Sequence, residues 1–297
     1  MRPDTSTDPA EPDEPDPLQA KSALLGLSPP SAGMDPGDFV LAWLKGFNPG
    51  KINGFPVTNR SKGAEALITA WPKTSAGKLD LAKSPFVLLA ITNRIDLGAS
   101  NTDPGEGRLV FGLSDGRPMT VIFEYKLPTK IARKEWAKKW HALAPLDFGT
   151  PYNKALVALT DLFVGKNASP ARANGSAIGQ VRTNEIQLAL DSGIAPVWSL
   201  REFHLVESVL TPAPVTKTPD GSLNSLKKLA EFITANAAKV KKGTAALPTE
   251  MWGGESLMNG AATTWTFPGM EDATRKAFAQ QACNGCHAGE QPNIDGF

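Results

Sequence analysis

The chain has 297 residues, of which 41% are hydrophobic, and a formal net charge of +1. That length fits one large domain or two smaller ones, and the apolar fraction suffices for a real core. The near-balance of charge implies no nucleic-acid partner, and no apolar run approaches the ~18 residues of a membrane span.

Residues 1–17 carry six acids, one base and five prolines. A stretch so poor in apolar groups cannot bury surface, so residues 1–20 are expected to be a disordered or semi-rigid acidic spacer. No apolar signal segment follows Met1. Spacers of this kind follow the processed end of exported proteins and lipoproteins. The expectation is therefore an export signal upstream, with room for a lipid anchor there; the alternative is a plain cytosolic tail.

"DPGDFVLAWLKGF" predicts a helix started by Asp35 or Pro36. "AEALITAWP" predicts a short helix that Pro72 ends. "SPFVLLAITNRIDLG" is a continuous apolar run, the pattern of a strand buried on both faces. "GRLVFGLSDGRPMTVIFEYKL" predicts two strands around Asp115-Gly116, with Pro118 at the start or edge of the second. "ARKEWAKKWHAL" and "PYNKALVALTDLFVGK" predict helices, the latter with Leu156, Leu159, Leu162 and Phe163 on one stripe and Gly165 at its end.

"AIGQVRTNEIQLAL" and "PVWSLREFHLVESVL" predict two more strands around an Asp191–Ala195 turn. "SLNSLKKLAEFITANAAKVKKG" predicts one long helix capped by Ser222 and stopped by Gly243, with Leu226, Leu229, Ile233 and Val240 facing inward. Its lysines read as a solvated face, since nucleic-acid binding would interleave them with aromatics. "EDATRKAFAQQAC" predicts the last helix. Helices and hairpin-paired strands mix without strict alternation, which predicts an α+β fold over a doubly wound sheet. The expected organisation is spacer 1–20, α+β body 21–250, linker 251–270, and from 271 to 297 the start of an all-α, cytochrome c-like unit.

The only cysteines, Cys283 and Cys286, lie in the last fifteen residues, with His287 directly after them. Cys-x-x-Cys-His is the spacing that attaches haem c covalently. Two thiols three positions apart reach two vinyl groups on one porphyrin edge, and the adjacent imidazole reaches the iron as an axial ligand. Zinc would need a second ligand pair, and His141 and His204 lie far off in sequence. A dithiol redox pair is expected near a βαβ start, not after a C-terminal helix. A plain Cys283–Cys286 disulfide stays open. Ten residues follow His287 and contain neither Met nor His as a second axial ligand. Met251, Met258, Met270, His141 or His204 would have to serve, or Phe297 lies inside a longer unit that completes the pocket.

"NRIDLG…GEGRLVFG", "RTNEIQLAL", "WSLREFHL" and "FAQQACNGCHAGE", in this order, resemble a group of exported bacterial proteins and lipoproteins. In that group an α+β body precedes a single Cys-x-x-Cys-His near the C-terminal third. The resemblance covers about residues 80–290. It implies export, to the periplasm or cell surface, and continuation past Phe297.

Three function classes follow. One is an electron carrier with haem iron at Cys283, Cys286 and His287 and a redox partner protein. Another is a surface-anchored binding or structural module with a disulfide and no haem. The third is an enzyme with a pocket in the body where Arg182, Asn184, Glu185 and Glu106 converge. Arg182 and Asn184 share one strand face by period-two alternation and would suit a carboxylate or a haem propionate. The competing role for Arg182 is an ion pair with Glu202 or Glu106. The glycines of "PGEGRLVFG" lead into a strand, which fits a turn and not a phosphate loop. His204 fits a core or edge-strand histidine, and His141 fits a helix C-terminus.

Overall fold

Runs of β-branched and aromatic residues build one antiparallel sheet laid down in sequence order, with tight turns at Asp115-Gly116 and Glu207-Ser208 and helices in two of the longer connections. The structure, a computed structural model, describes residues 35–128, 130–165, 167–172, 175–195, 198–258, 265–283 and 285, without the side chains of 257 and 258. The elements in chain order are α1 (Pro36–Lys45), β1 (Lys51–Ile52), β2 (Phe55–Pro56), α2 (Ser61–Ala70), β3 (Phe86–Arg94), β4 (Glu106–Leu113), β5 (Thr120–Lys126), α3 (Arg133–His141), α4 (Thr150–Val164), β6 (Ile178–Asn184), α5 (Ile186–Asp191), β7 (Trp198–Val206), β8 (Val209–Ala213), α6 (Lys227–Ala235), α7 (Ala237–Lys241), β9 (Ser256–Met258) and α8 (Asp272–Ala279). Strands β3 to β8 lie side by side in sequence order, and β9 pairs with the start of β7. The fold is α+β.

Several elements form as their residues dictate. Asp35 caps α1, its Oδ1 accepting from the Gly37 amide at 2.8 Å, and Pro36 fits the first turn where no donor is needed. Asp115-Gly116 turns the β4–β5 hairpin with Gly116 at φ 77°.

Alternation gives the sheet two unlike faces. Leu109, Phe111, Val121, Phe123, Val181 and Phe203 point to one side. There they pack against Phe39, Val40, Trp43 and Leu44 of α1, Leu67 of α2, Trp136 of α3 and Phe163 of α4. A second cluster forms around Leu229, Ile233, Val240, Trp265, Phe267 and Phe278. It joins α6 and α7 to α8, so residues on both sides of 251–270 share one core. Within that expected linker, Met251 and Phe267 are themselves buried and β9 extends the sheet.

Four expectations are corrected. β3 is an edge strand, not one buried on both faces: Leu89 is 60% exposed, and a bulge falls between Leu88 and Ala90. "IQLAL" is helical, because Asn184 Oδ1 accepts from the Ile186 amide at 3.4 Å and α5 packs against α2. Gly63 permits that packing, since a Cβ there would stand 2.3 Å from the Leu188 carbonyl oxygen. "PVWSLREFHLVESVL" is a hairpin, turning at Glu207 with φ 54°. The long helix is two, broken at Asn236; Asp220, not Ser222, caps the 3-10 turn before it, and Leu226 lies exposed. Leu162 of the α4 stripe is exposed as well.

Among the described residues no helix is long and apolar enough to cross a membrane.

Candidate functional site

The sheet face turned away from the main core is charged, and its register explains how. Arg108 on β4 stands directly across from Glu124 on β5, Arg182 on β6 across from Glu202 on β7, and Gln180 across from His204. Opposite charges at paired positions attract across neighbouring strands. The Arg182 guanidinium reaches Glu202 at 3.1 Å through Nε and Glu124 at 3.2 Å through Nη1. Arg108 bridges Glu106 at 3.1 Å and Glu124 at 3.4 Å. Gln180 also donates to Glu124. Glu202 accepts from the Thr216 hydroxyl at 2.7 Å and lies 2.7 Å from the His204 ring. One ladder thus runs across four strands, with Glu124 and Glu202 almost fully enclosed by their partners.

The two enclosed carboxylates are tuned in opposite directions. Burial raises Glu124, and its bonds to Arg182 and Arg108 offset this only in part, so its carboxyl titrates above the ordinary range. Burial also pushes Glu202 upward, but His204, Arg182 and Thr216 together outweigh it and hold the carboxyl below the ordinary range. Desolvation alone would lower the Arg182 guanidinium; Glu124, Glu202 and the Cys283 sulfur reverse this.

The Cys-x-x-Cys-His segment begins against this ladder. α8 packs Phe278 and Ala279 into the second core and delivers Cys283 one turn later. The Cys283 amide donates to the Thr218 hydroxyl at 3.2 Å. Thr218 belongs to the turn whose Thr216 holds Glu202, so the motif and the ladder share one hydrogen-bonded turn. Cys283 is half-buried and forms no disulfide among the described residues. Gly285 is buried so close to α8 that a Cβ would sit 2.1 Å from the Ala279 carbonyl oxygen. Gly285 therefore lies against the end of α8 with no room for a side chain. Cys286 and His287 lie outside the described residues, as does the 1–20 spacer.

No family model, curated protein or solved structure matches this chain.

The sequence-derived pocket does not assemble. Arg182 and Glu106 share the ladder but are joined through Arg108 and Glu124, each engaged by a neighbour. Arg182 holds two carboxylates at once, so the ion-pair role accounts for it and no propionate or substrate acid is needed. Asn184 ends β6 on the charged face, and its Oδ1 accepts from the Ile186 amide at 3.4 Å. Glu185 points elsewhere, into a separate buried cluster. There it accepts from Thr183 at 2.7 Å and sits 3.1 Å from Arg201 and 3.8 Å from Arg60. Burial raises the Glu185 carboxyl, with Arg201 and Thr183 in partial opposition. Arg201 also donates to the Phe47 carbonyl at 3.0 Å, which ties β7 to the end of α1. This cluster is a clamp between segments and not a cleft.

The candidate axial ligands sort by position. Met251 and Met270 pack in or against the second core that α8 shares. His204 is held by Glu202 on the ladder, and His141 is exposed at the end of α3. The Met258 side chain lies outside the described residues. Among the described residues no group of three or more His, Cys, Asp or Glu is arranged to hold a metal ion.

Sequence reasoning missed Glu124, Gln180 and Thr216. The signal was present in "GRLVF", "IFEYK" and "GQVRT", where a charged or amide residue recurs at one strand parity. Register, which turns parity into contact, was not readable.

Proposed function

We propose that the chain is an exported electron carrier of the c-type cytochrome kind, holding haem c through Cys283, Cys286 and His287. The observation that carries this is the Cys-x-x-Cys-His spacing after α8, with Cys283 half-buried beside a charged sheet face. The described residues fit such a group. α8 packs into the second core and leads to Cys283, Gly285 lies tight against the Ala279 carbonyl, and Met251 is buried in that core with Met270 packed against it.

Cys283 and Cys286 would hold the porphyrin edge by thioethers, and His287 the iron. When bound, the group supplies one-electron chemistry at iron. The chain's own part is to fix the motif through the Thr218 hydroxyl and α8, and to set the field there through Arg182, Glu202 and Glu124. The α+β body would serve as docking module for a redox partner protein.

The test is export of the chain to a periplasm that contains haem-ligation machinery, followed by intact mass and haem staining of a denaturing gel. Covalent haem with a Soret band supports the proposal. A colourless product lighter by two hydrogens would mean a Cys283–Cys286 disulfide and a binding or structural module, and would end the electron-carrier reading.

A further inference from the structure

The outer face of α3 concentrates positive charge. Residues 126–154 contain seven cations and two acids in a chain whose net charge is only +1. At 100° per residue, Trp136 and Trp140 fall on one side of α3, and Lys134, Lys138 and His141 on the other. The tryptophan side is turned inward: Trp136 is fully buried and Trp140 packs against the main core. Lys134, Lys138, Lys139 and His141 are exposed, as are Lys130 ahead of the helix and Lys154 in α4. Lys138 pairs with Glu135 at 2.9 Å. Lys130, Lys134, Lys139 and Lys154 have no ion pair among the described residues.

A protruding ring stands at the end of the same helix. Phe148 is 90% exposed, and among the described residues no large apolar side chain is more so. It lines a shallow groove together with His141, which places it beside the last turn of α3. Its nearest ring is that of Tyr152, with centroids 5.0 Å apart. The next residue, Gly149, takes φ 114° and turns the chain into α4.

Charge and ring together select the partner. The lysines are spread along a helix and do not converge on a pocket, so they suit an extended anionic surface and not one small anion. An acidic protein would answer the lysines alone. A bilayer of anionic lipid answers both features: its headgroups meet the lysines, and its acyl boundary takes the ring. The other lysine-rich stretch, residues 227–242, lacks this combination. Two of its five lysines are paired, Lys227 with Glu231 at 3.6 Å and Lys241 with Glu271 at 2.7 Å, and its one aromatic, Phe232, packs against the second core.

We infer that the chain docks on anionic membranes through this face, with the α3 lysines at headgroup level and Phe148 inserted between lipids. Such docking lies in the plane of the interface and needs no spanning segment.

The test is flotation of the full chain with phosphatidylcholine vesicles, with and without phosphatidylglycerol. The expected result is flotation with the anionic vesicles, binding about 10-fold or more weaker to the neutral ones, and release by added salt. The triple change Lys134→Gln, Lys138→Gln, Lys139→Gln weakens anionic binding by about 10-fold or more. Phe148→Ser weakens it by about 3-fold or more, and Phe148→Trp restores it. The triple change Lys227→Gln, Lys228→Gln, Lys242→Gln leaves it unaltered. All these positions are exposed, and circular dichroism checks that each variant is folded. No flotation with anionic vesicles at low salt would overturn the inference and leave an acidic protein as the partner for the lysines. An equal loss from the two triple changes, or binding that Phe148→Ser leaves untouched, would overturn it as well.

Discussion

Glu202 offers the sharpest test of the ladder. It is fully buried, and it accepts from Arg182 Nε at 3.1 Å, the Thr216 hydroxyl at 2.7 Å and the Thr216 amide at 3.3 Å, with the His204 ring at 2.7 Å. Glu202→Gln keeps the shape and one carbonyl oxygen. Its new NH2 must face a group that previously donated. Thr216 can rotate its hydroxyl to accept, but Arg182 has donors only. The carbonyl oxygen stays on Arg182 but the carboxylate charge is lost, which weakens that bond by about 1.5–3 kcal/mol and leaves Glu124 as the one carboxylate paired with Arg182. The expected loss is about 2–4 kcal/mol at pH 7, read as a fall in the urea midpoint without a change in slope. The pH dependence has a definite sign. The Glu202 carboxyl is held below its ordinary 4.5, so its contribution is present above that value and disappears as pH falls through the folded-state value. The gap between wild type and variant should therefore be full at pH 7 and should begin to close only below 4.5. A loss under about 0.5 kcal/mol at pH 7, or a gap that has already closed above pH 4.5, would refute the ladder as a stabilising unit.

Arg182→Met removes the cation shared by Glu124 and Glu202 and should cost about 3–5 kcal/mol at pH 7. Because burial raises Glu124 above 4.5, that carboxyl takes up a proton before an ordinary one on acidification, so the loss should shrink as pH falls from 7 toward 4.5 in thermal melts; a loss independent of pH would contradict this. Gly63→Ala forces a Cβ to within 2.3 Å of the Leu188 carbonyl oxygen and should separate α2 from α5, costing about 1–3 kcal/mol by calorimetry; an unchanged melting temperature would mean the helices do not touch there. Gly285→Ala meets the Ala279 carbonyl oxygen at 2.1 Å and should lower the fraction of chain carrying covalent haem, measured by intact mass after export, while the urea midpoint of the sheet body stays the same; undiminished haem loading would show that Gly285 is not held tight against the end of α8.

Local chemistry was legible wherever one residue type fixes one backbone outcome. Asp35-Pro36 announces a helix start and Asp115-Gly116 a hairpin, because caps and turns depend on a few neighbouring residues. "IQLAL" shows the limit. Its alternation fits a strand, yet α5 forms because α2 offers Gly63 as a contact more than a hundred residues away in sequence. The same holds for β3, whose apolar run carries no mark of standing at the edge of the sheet.

The candidate site divides along the same line. The sequence by itself determined that Cys283, Cys286 and His287 stand at Cys-x-x-Cys-His spacing, that the chain mixes helices with hairpins, and that Arg182 stands on the opposite side of its strand from Thr183. Tertiary structure alone decided that Arg182 faces Glu202 and Glu124, that Glu185 turns into a different cluster, and that Cys283 rests on the turn that holds Glu202. The physical reason is register: parity along one strand is a local property, whereas the partner across the gap is fixed only when every strand has been laid beside its neighbour.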